Sequence, residues 1–142
     1  MSFLASFANI WRDSTALCAL VPFDRVFTGR VPGTEYYKFP YINIQEAGPT
    51  RRYRSDKSQG YYISMSFHIW VDDSRLSTGE QIECAIAKAY AENAWTIDGD
   101  YKVIDVLDEG PAQKHQINES SYKAWEIIKL LTVCLERARS GQ

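Results

Sequence analysis

Residues 121–139, SYKAWEIIKLLTVCLERAR, fit either a strand or a helix, and the choice between them decides the fold. At a period of two, one apolar face is interrupted only by Lys129 and contains Trp125, Ile127, Leu131, Val133 and Leu135. At the helical period, an equally regular stripe contains Ile127, Ile128, Leu131, Cys134 and Leu135. The β-branched and aromatic composition favours a strand. We therefore predict a strand over 121–137 that pairs with a strand at 61–71.

The composition is typical of a folded protein with a core. The chain has 142 residues, enough for a single domain over 1–142, and 45% of them are hydrophobic. The net charge of −2 gives no general attraction for nucleic acid or anionic membranes. The apolar runs are shorter than a bilayer span of about 20 residues, and the start of the chain lacks the features of a signal peptide. We predict synthesis in the cytoplasm and no membrane contact.

Five further elements follow from periodicity, capping and turn residues. They are a helix over 2–20 with a break near Asp13–Ser14, a strand over 41–46, a strand over 61–71, a helix whose start is marked by a Ser77–Glu80 capping box, and a strand over 101–107. Residues 47–60 and 108–120 are polar and are predicted to be loops. The fold class predicted is α+β: an antiparallel sheet with a long hairpin, covered on one face by two helices.

The residues that could carry catalysis do not form a recognised motif. Ser64, Ser66 and His68 lie near the Asp72–Asp73 pair, but no G-x-S-x-G turn presents either serine. His68 and His115 are the only histidines, and neither has metal ligands at zinc-site spacing. The three cysteines form no C-x-x-C pair, and their odd number argues against a disulfide framework. We predict no enzyme activity, no metal and no cofactor, and a hydrolase centred on His68 is the weakest hypothesis.

Two features indicate contact with a partner. The first, called here the basic segment, lies between the predicted hairpin strands and consists of Arg51, Arg52, Tyr53, Arg54 and Lys57. Arginine forks beside an aromatic ring suit phosphate or an acidic protein surface, although a charged run is also typical of a solvated loop tip. The second is the polar face of strand 61–71, which fits either a position under a helix or contact with another subunit, and in which Tyr62, His68 and Trp70 are interface candidates.

The stretch VFTGRVPGTEYYKFPYINIQE, after a helix that ends in TALCALV, resembles the opening of the tail-completion proteins of long-tailed bacteriophages. The matching residues are Val26, Phe27, Gly29, Arg30, Pro32, Pro40, Tyr41 and Ile42. The segments MSFHIWVDD, STGEQIECAIAKAYAENAW and AWEIIKLLTVCLE are similar to the long strand, the helix and the last strand of that family. The resemblance covers about residues 1–137. The basic segment departs from it, being longer and more charged.

The resemblance implies a structural protein of a phage or prophage virion, located in the tail. Such proteins complete the tail tube and join it to the head connector as rings, commonly hexamers, without cofactor or catalysis. The implied partners are further copies of the chain, the tail-tube protein and the connector, with DNA in the lumen as an alternative contact of the basic segment. Acidic stretches at 71–73 and 105–110 offer a contact on a neighbouring copy, and the negative net charge favours protein over DNA. A nucleic-acid-binding α+β domain that uses the basic segment is the alternative function.

Overall fold

The computed structural model describes residues 4–29, 39–48, 51–54, 59–92, 96–97, 101–118 and 123–137. Within these ranges the chain has the predicted α+β fold, with three α-helices and one eight-stranded sheet. The helices are α1 Leu4–Asp13, α2 Thr15–Leu20 and α3 Leu76–Glu92, and a 3₁₀ turn occupies Phe23–Arg25. The strands are β1 Val26–Thr28, β2 Tyr41–Glu46, β3 Arg51–Arg54, β4 Gln59–Asp72, β5 Thr96–Ile97, β6 Tyr101–Asp108, β7 Gln113–Asn118 and β8 Lys123–Arg137.

The ambiguous segment is a strand, which confirms the prediction. β8 runs antiparallel to β4 from the pair Gly60–Glu136 to the pair Asp72–Ala124. Of the period-two row, Ile127, Leu131, Val133 and Leu135 are at most 1% exposed. They form a continuous core with the alternating row of β4, which comprises Ile63, Met65, Phe67, Ile69 and Val71. As a strand, β8 buries its own apolar row and that of β4 together against the helices. A helix at 123–137 would lose the pairing with β4.

The two long strands β4 and β8 form the centre of the sheet. The strand order is β1-β2-β4-β8-β6-β5, with β3 also paired to β4 and β7 also paired to β8. Each central strand is therefore flanked on its outer side by two shorter strands, one after the other. The pairs are antiparallel, except that β1 is parallel to β2.

The predicted loops at 47–60 and 108–120 are wrong in part. Arg51–Arg54 is the strand β3, and Gln113–Asn118 is the strand β7. Both strands lie at the rim of the sheet, and β7 is almost wholly exposed. Such strands are held by backbone hydrogen bonds to a neighbour, so their sequences need no apolar alternation. The Ser77–Glu80 box does not mark the start of a helix either, because α3 begins at Leu76.

The helices are fixed to the sheet by aromatic side chains. The break after α1 is confirmed, and the Ser14 hydroxyl caps α2 by accepting a hydrogen bond from the Leu17 amide at 3.2 Å. The Tyr90 hydroxyl donates to the Phe7 carbonyl oxygen at 2.5 Å and links α3 to α1. The Tyr90 ring lies 4.9 Å from that of Phe67 on β4, and burial raises the pKa of Tyr90 above its usual range. No helix in the described part of the chain has the length and apolar character needed to span a bilayer.

Lys129 is a charged residue in the apolar row of β8, and only 4% of it is exposed. Its Nζ donates to Asp108 Oδ1 at 2.6 Å and to the Gly110 carbonyl at 2.8 Å, and it lies 3.9 Å from Glu83 Oε1. Glu83 in turn accepts a hydrogen bond from the Ala112 amide at 3.2 Å. This ion cluster joins the β6–β7 connection to α3 and to the centre of the sheet.

Candidate partner-binding surface

The face of the sheet opposite the helices, called here the open face, holds the predicted interface residues. It presents the side chains that alternate with the core rows of β4 and β8. On β4 these are Tyr62, Ser64, Ser66, His68 and Trp70, and on β8 they are Glu126, Ile128, Leu130, Thr132 and Cys134. The described helices pack on the other face, against the core rows. Mixed aromatic and small polar side chains of this kind suit a protein interface.

Trp70 lies at one end of the open face in an aromatic row. Its ring stacks on Tyr41 at 5.8 Å, and Tyr41 stacks on Phe39 at 5.9 Å. Phe27 of β1 meets Tyr41 edge-on at 6.2 Å. Trp70 is half-buried by these contacts within its own chain. The row therefore forms a rigid apolar platform, of which only part is open to a partner.

His68 lies at the middle of the open face in a chain of polar contacts that the sequence did not reveal. Its Nε2 lies 3.2 Å from Ser66 Oγ, and its Nδ1 lies 3.0 Å from Glu126 Oε2. Glu126 is 58 positions away in sequence and reaches His68 only through the pairing of β4 with β8. The order of groups matches a serine–histidine–carboxylate triad, with Glu126 in place of the Asp72–Asp73 pair considered from the sequence.

The surroundings of Ser66 do not favour nucleophilic catalysis. Ser66 is 5% exposed, and its hydroxyl donates to the Gln45 carbonyl oxygen at 3.4 Å. It lies in mid-strand, paired with Gln45 on one side and Leu130 on the other. The neighbouring backbone N–H groups are therefore engaged in the sheet and do not converge on a site for an oxyanion. The contacts are better suited to holding the His68 ring in one orientation. No cluster of three or more potential metal ligands occurs in the described ranges.

We expect His68→Ala to change stability modestly, by about 1 kcal/mol, because it removes two partly exposed polar contacts. Neither the wild type nor the variant is expected to hydrolyse esters. Thermal unfolding and p-nitrophenyl acetate assays measure the two quantities, and Ser66→Ala is a second variant, which removes the candidate nucleophile. Ester hydrolysis by the wild type that both variants abolish would overturn the non-catalytic interpretation.

The basic segment is divided between the two faces of the sheet. On β3, Arg51 pairs with Tyr62 and Arg52 pairs with Tyr61. The Arg51 guanidinium lies 5.9 Å from the Tyr62 ring centre on the open face, and that of Arg52 lies 5.6 Å from the Tyr61 ring on the helical face. The predicted loop tip is thus a strand at these positions. The side chains of Tyr53 and Arg54, and the whole of Lys57, lie outside the described residues.

An apolar patch with an acidic rim lies across the sheet from the basic segment. The exposed large hydrophobic residues of the described chain are Ile104 (47%), Leu107 (46%) and Leu130 (38%), on β6 and the adjoining β8. Asp105 and Glu109 lie beside them. Glu109 accepts a hydrogen bond from the Thr132 hydroxyl at 2.5 Å, which holds it close to the open face. Neither the patch nor its position was predicted, because the bulge between Val103 and Asp105 breaks the alternation of β6.

Comparison with known proteins identifies a shared fold. No family model matches the sequence, and no curated protein matches it. Among solved structures, a chain from the virion of a native gene transfer agent particle is similar, with a TM-score of 0.72 and 14% sequence identity. The match covers 95% of each chain. The similarity therefore extends to the whole arrangement of helices and sheet.

Proposed function

We propose that this protein is a structural subunit of a phage or prophage virion that completes the tail tube and joins it to the head connector as a ring. The observation that carries the proposal is the fold shared over 95% of both chains with a virion chain of a gene transfer agent particle. The described part of the tail-completion motif adds support. Val26 and Phe27 lie directly beside Ile42 and Asn43 in parallel strands, so the two halves of the motif form one structural unit.

The surface is suited to assembly more than to chemistry. A stable protein contact buries about 800 Å² on each partner. The open face supplies aromatic and small polar groups over the length of the two central strands. A ring subunit needs two such contact regions and a rigid body between them. The continuous core of β4, β8 and the helices provides that rigidity.

Nucleic-acid binding is the alternative function, and the Arg51–Tyr62 and Arg52–Tyr61 contacts favour it because arginine and aromatic groups stack on bases. Their location on opposite faces divides the positive charge, whereas a phosphate backbone is usually followed by one continuous basic surface. The virion proposal therefore takes precedence.

The decisive experiment measures the mass of the nuclease-treated protein by native mass spectrometry and images it by negative stain. We expect ring-shaped oligomers without nucleic acid. Deletion of the gene from its phage or prophage should leave filled heads and separate tails, and supplied wild-type protein should join them. A monomer that binds DNA with a steep salt dependence, and whose deletion leaves joining intact, would contradict the proposal and favour the alternative.

A further inference from the structure

We infer that copies of this chain join head to tail through the two rims of the sheet, the β3 rim of one copy meeting the β6 rim of the next. The inference rests on the proposed function and specifies the contact that would build the ring. The occupant of each rim is therefore a second copy of the chain. The strand pairing, the exposed side chains and the charges on the two rims support it.

The β6 rim offers backbone groups for pairing. β6 pairs with β8 on its inner side, while β5 pairs on the outer side only with Tyr101 and Lys102. Among the described residues, no strand covers the outer side of β6 at 103–108. A strand rim of this kind presents N–H and C=O groups that can accept a further strand. The exposed apolar side chains of this stretch are Ile104 and Leu107, and Leu130 follows on the adjoining β8.

The β3 rim lies on the opposite side of the sheet and has complementary chemistry. β3 pairs with β4 on its inner side, and its outer side has no strand partner in the described ranges. Arg51 and Arg52 are exposed on it, each held over a tyrosine ring. Arginine and tyrosine are enriched at the energetic centres of protein interfaces. In the proposed contact, the positive charge of this rim faces Asp105 and Glu109, the acidic residues beside the apolar patch of the next copy.

The two rims match on both faces of the sheet. On the open face, Leu107 pairs with Thr132 and Asp105 pairs with Cys134. Arg51 lies on the same face, where it pairs with Tyr62. On the helical face, the β6 rim carries Asp108 and the β3 rim carries Arg52. Asp108 already accepts a hydrogen bond from Lys129, but its side chain is 49% exposed. If the sheet continues from β3 of one copy to β6 of the next, an arginine therefore comes close to an aspartate on each face.

The contact would use two different surfaces of one chain. Such a heterologous contact generates a closed ring when its rotation closes, whereas a contact of one surface with itself stops at a dimer. The two rims lie on opposite sides of the β4–β8 centre, so each copy can hold two neighbours at once.

Two variants, each with the charge of one rim reversed, test the inference. Arg51→Glu with Arg52→Glu reverses the β3 rim, and Asp105→Lys with Glu109→Lys reverses the β6 rim. Each double variant alone should need at least about a hundredfold higher concentration to assemble, because like charges would meet at every contact. An equimolar mixture should recover assemblies that alternate the two variants, since each rim then meets a rim of opposite charge. Native mass spectrometry identifies both variants by mass, and circular dichroism checks their folding.

Lys88→Glu with Lys123→Glu is the matched control for the β3 variant, with the same change in net charge at two exposed lysines away from both rims. It should assemble as the wild type does. The inference is overturned if either rim variant keeps the wild-type mass, if the mixture stays unassembled, or if the control also fails to assemble. A wild-type ring with unaffected rim variants would remove this contact and leave the proposed function standing. A wild type that is monomeric under all conditions would remove both.

Discussion

Lys129→Ala is expected to lower the free energy of unfolding by about 3 kcal/mol, which is among the largest effects of any single change in this chain. The ammonium group is 2.6 Å from Asp108 Oδ1 and 2.8 Å from the Gly110 carbonyl oxygen. Its alkyl stem fills the core row between Ile127 and Leu131, both at most 1% exposed. Alanine would leave a cavity in that row and remove the cation beside Glu83. Urea unfolding followed by tryptophan fluorescence measures the loss.

Lys129→Met separates packing from charge in this prediction. Methionine keeps most of the stem volume, and removal of one partner of an ion pair is most costly where the remaining charge stays buried. Asp108 is half-exposed and can be solvated by water once its partner is removed. We therefore expect Lys129→Met to lose less than half of what the alanine variant loses. An equal loss in both variants would show that the ion cluster, and not the filled volume, stabilises this region.

The Lys129 hydrogen bond also predicts the pH dependence of stability. It is the main cause that lowers the pKa of Asp108, and the Gly110 amide adds to it. A lowered pKa contributes stability above the usual aspartate value of about 3.9, and this contribution is lost as the pH falls through the folded value. The difference in stability between wild type and Lys129→Met should therefore shrink from pH 7 to pH 3. A difference that grows toward acid would contradict the role of this hydrogen bond.

The parts of the fold that the sequence predicts are those where burial alternates. β4 and β8 each bury an alternating row that is apolar except for Lys129, so a one-residue shift would turn that row to the other face. β7 and the described side chains of β3 bury little, and backbone pairing with β8 and β4 holds these strands in the sheet. Their sequences, RRYR and QKHQIN, carry no signal that distinguishes a rim strand from a loop.

The candidate surface was only partly predictable for a related reason. The residue types were recognisable, since arginines beside a tyrosine and a row with His68 and Trp70 stand out in the sequence. Which of them meet depends on strand register. Glu126 reaches His68 from the adjacent strand, and Arg51 and Arg52 point to opposite faces because Tyr62 and Tyr61 do. These relationships follow from the register of the paired strands, which no local pattern encodes.

The close approach of α3 to the sheet at Gly79 provides the second large prediction. A Cβ added at Gly79 would lie 2.4 Å from Ile127 Cδ1 and 3.2 Å from Val71 Cγ2. Both neighbours belong to the core and are at most 1% exposed, so they have little room to move. Gly79→Val is expected to lower the free energy of unfolding by about 3 kcal/mol, because overpacking forces the helix away from β4 and β8. Gly48→Ala is the control and should change little, since no atom lies within 4 Å of its added Cβ.

Ile127→Val identifies the origin of the Gly79 effect, because it removes the Cδ1 atom that the new side chain would meet. Alone it should cost about 1 kcal/mol through the lost methyl group. In the Ile127→Val background, Gly79→Val should cost about 1 kcal/mol less than in the wild type, since the two changes compensate in volume. Denaturant unfolding of the four proteins in this cycle gives the coupling. Additive losses would mean that the cost of the larger side chain does not arise at Ile127, which leaves the Val71 contact as its source.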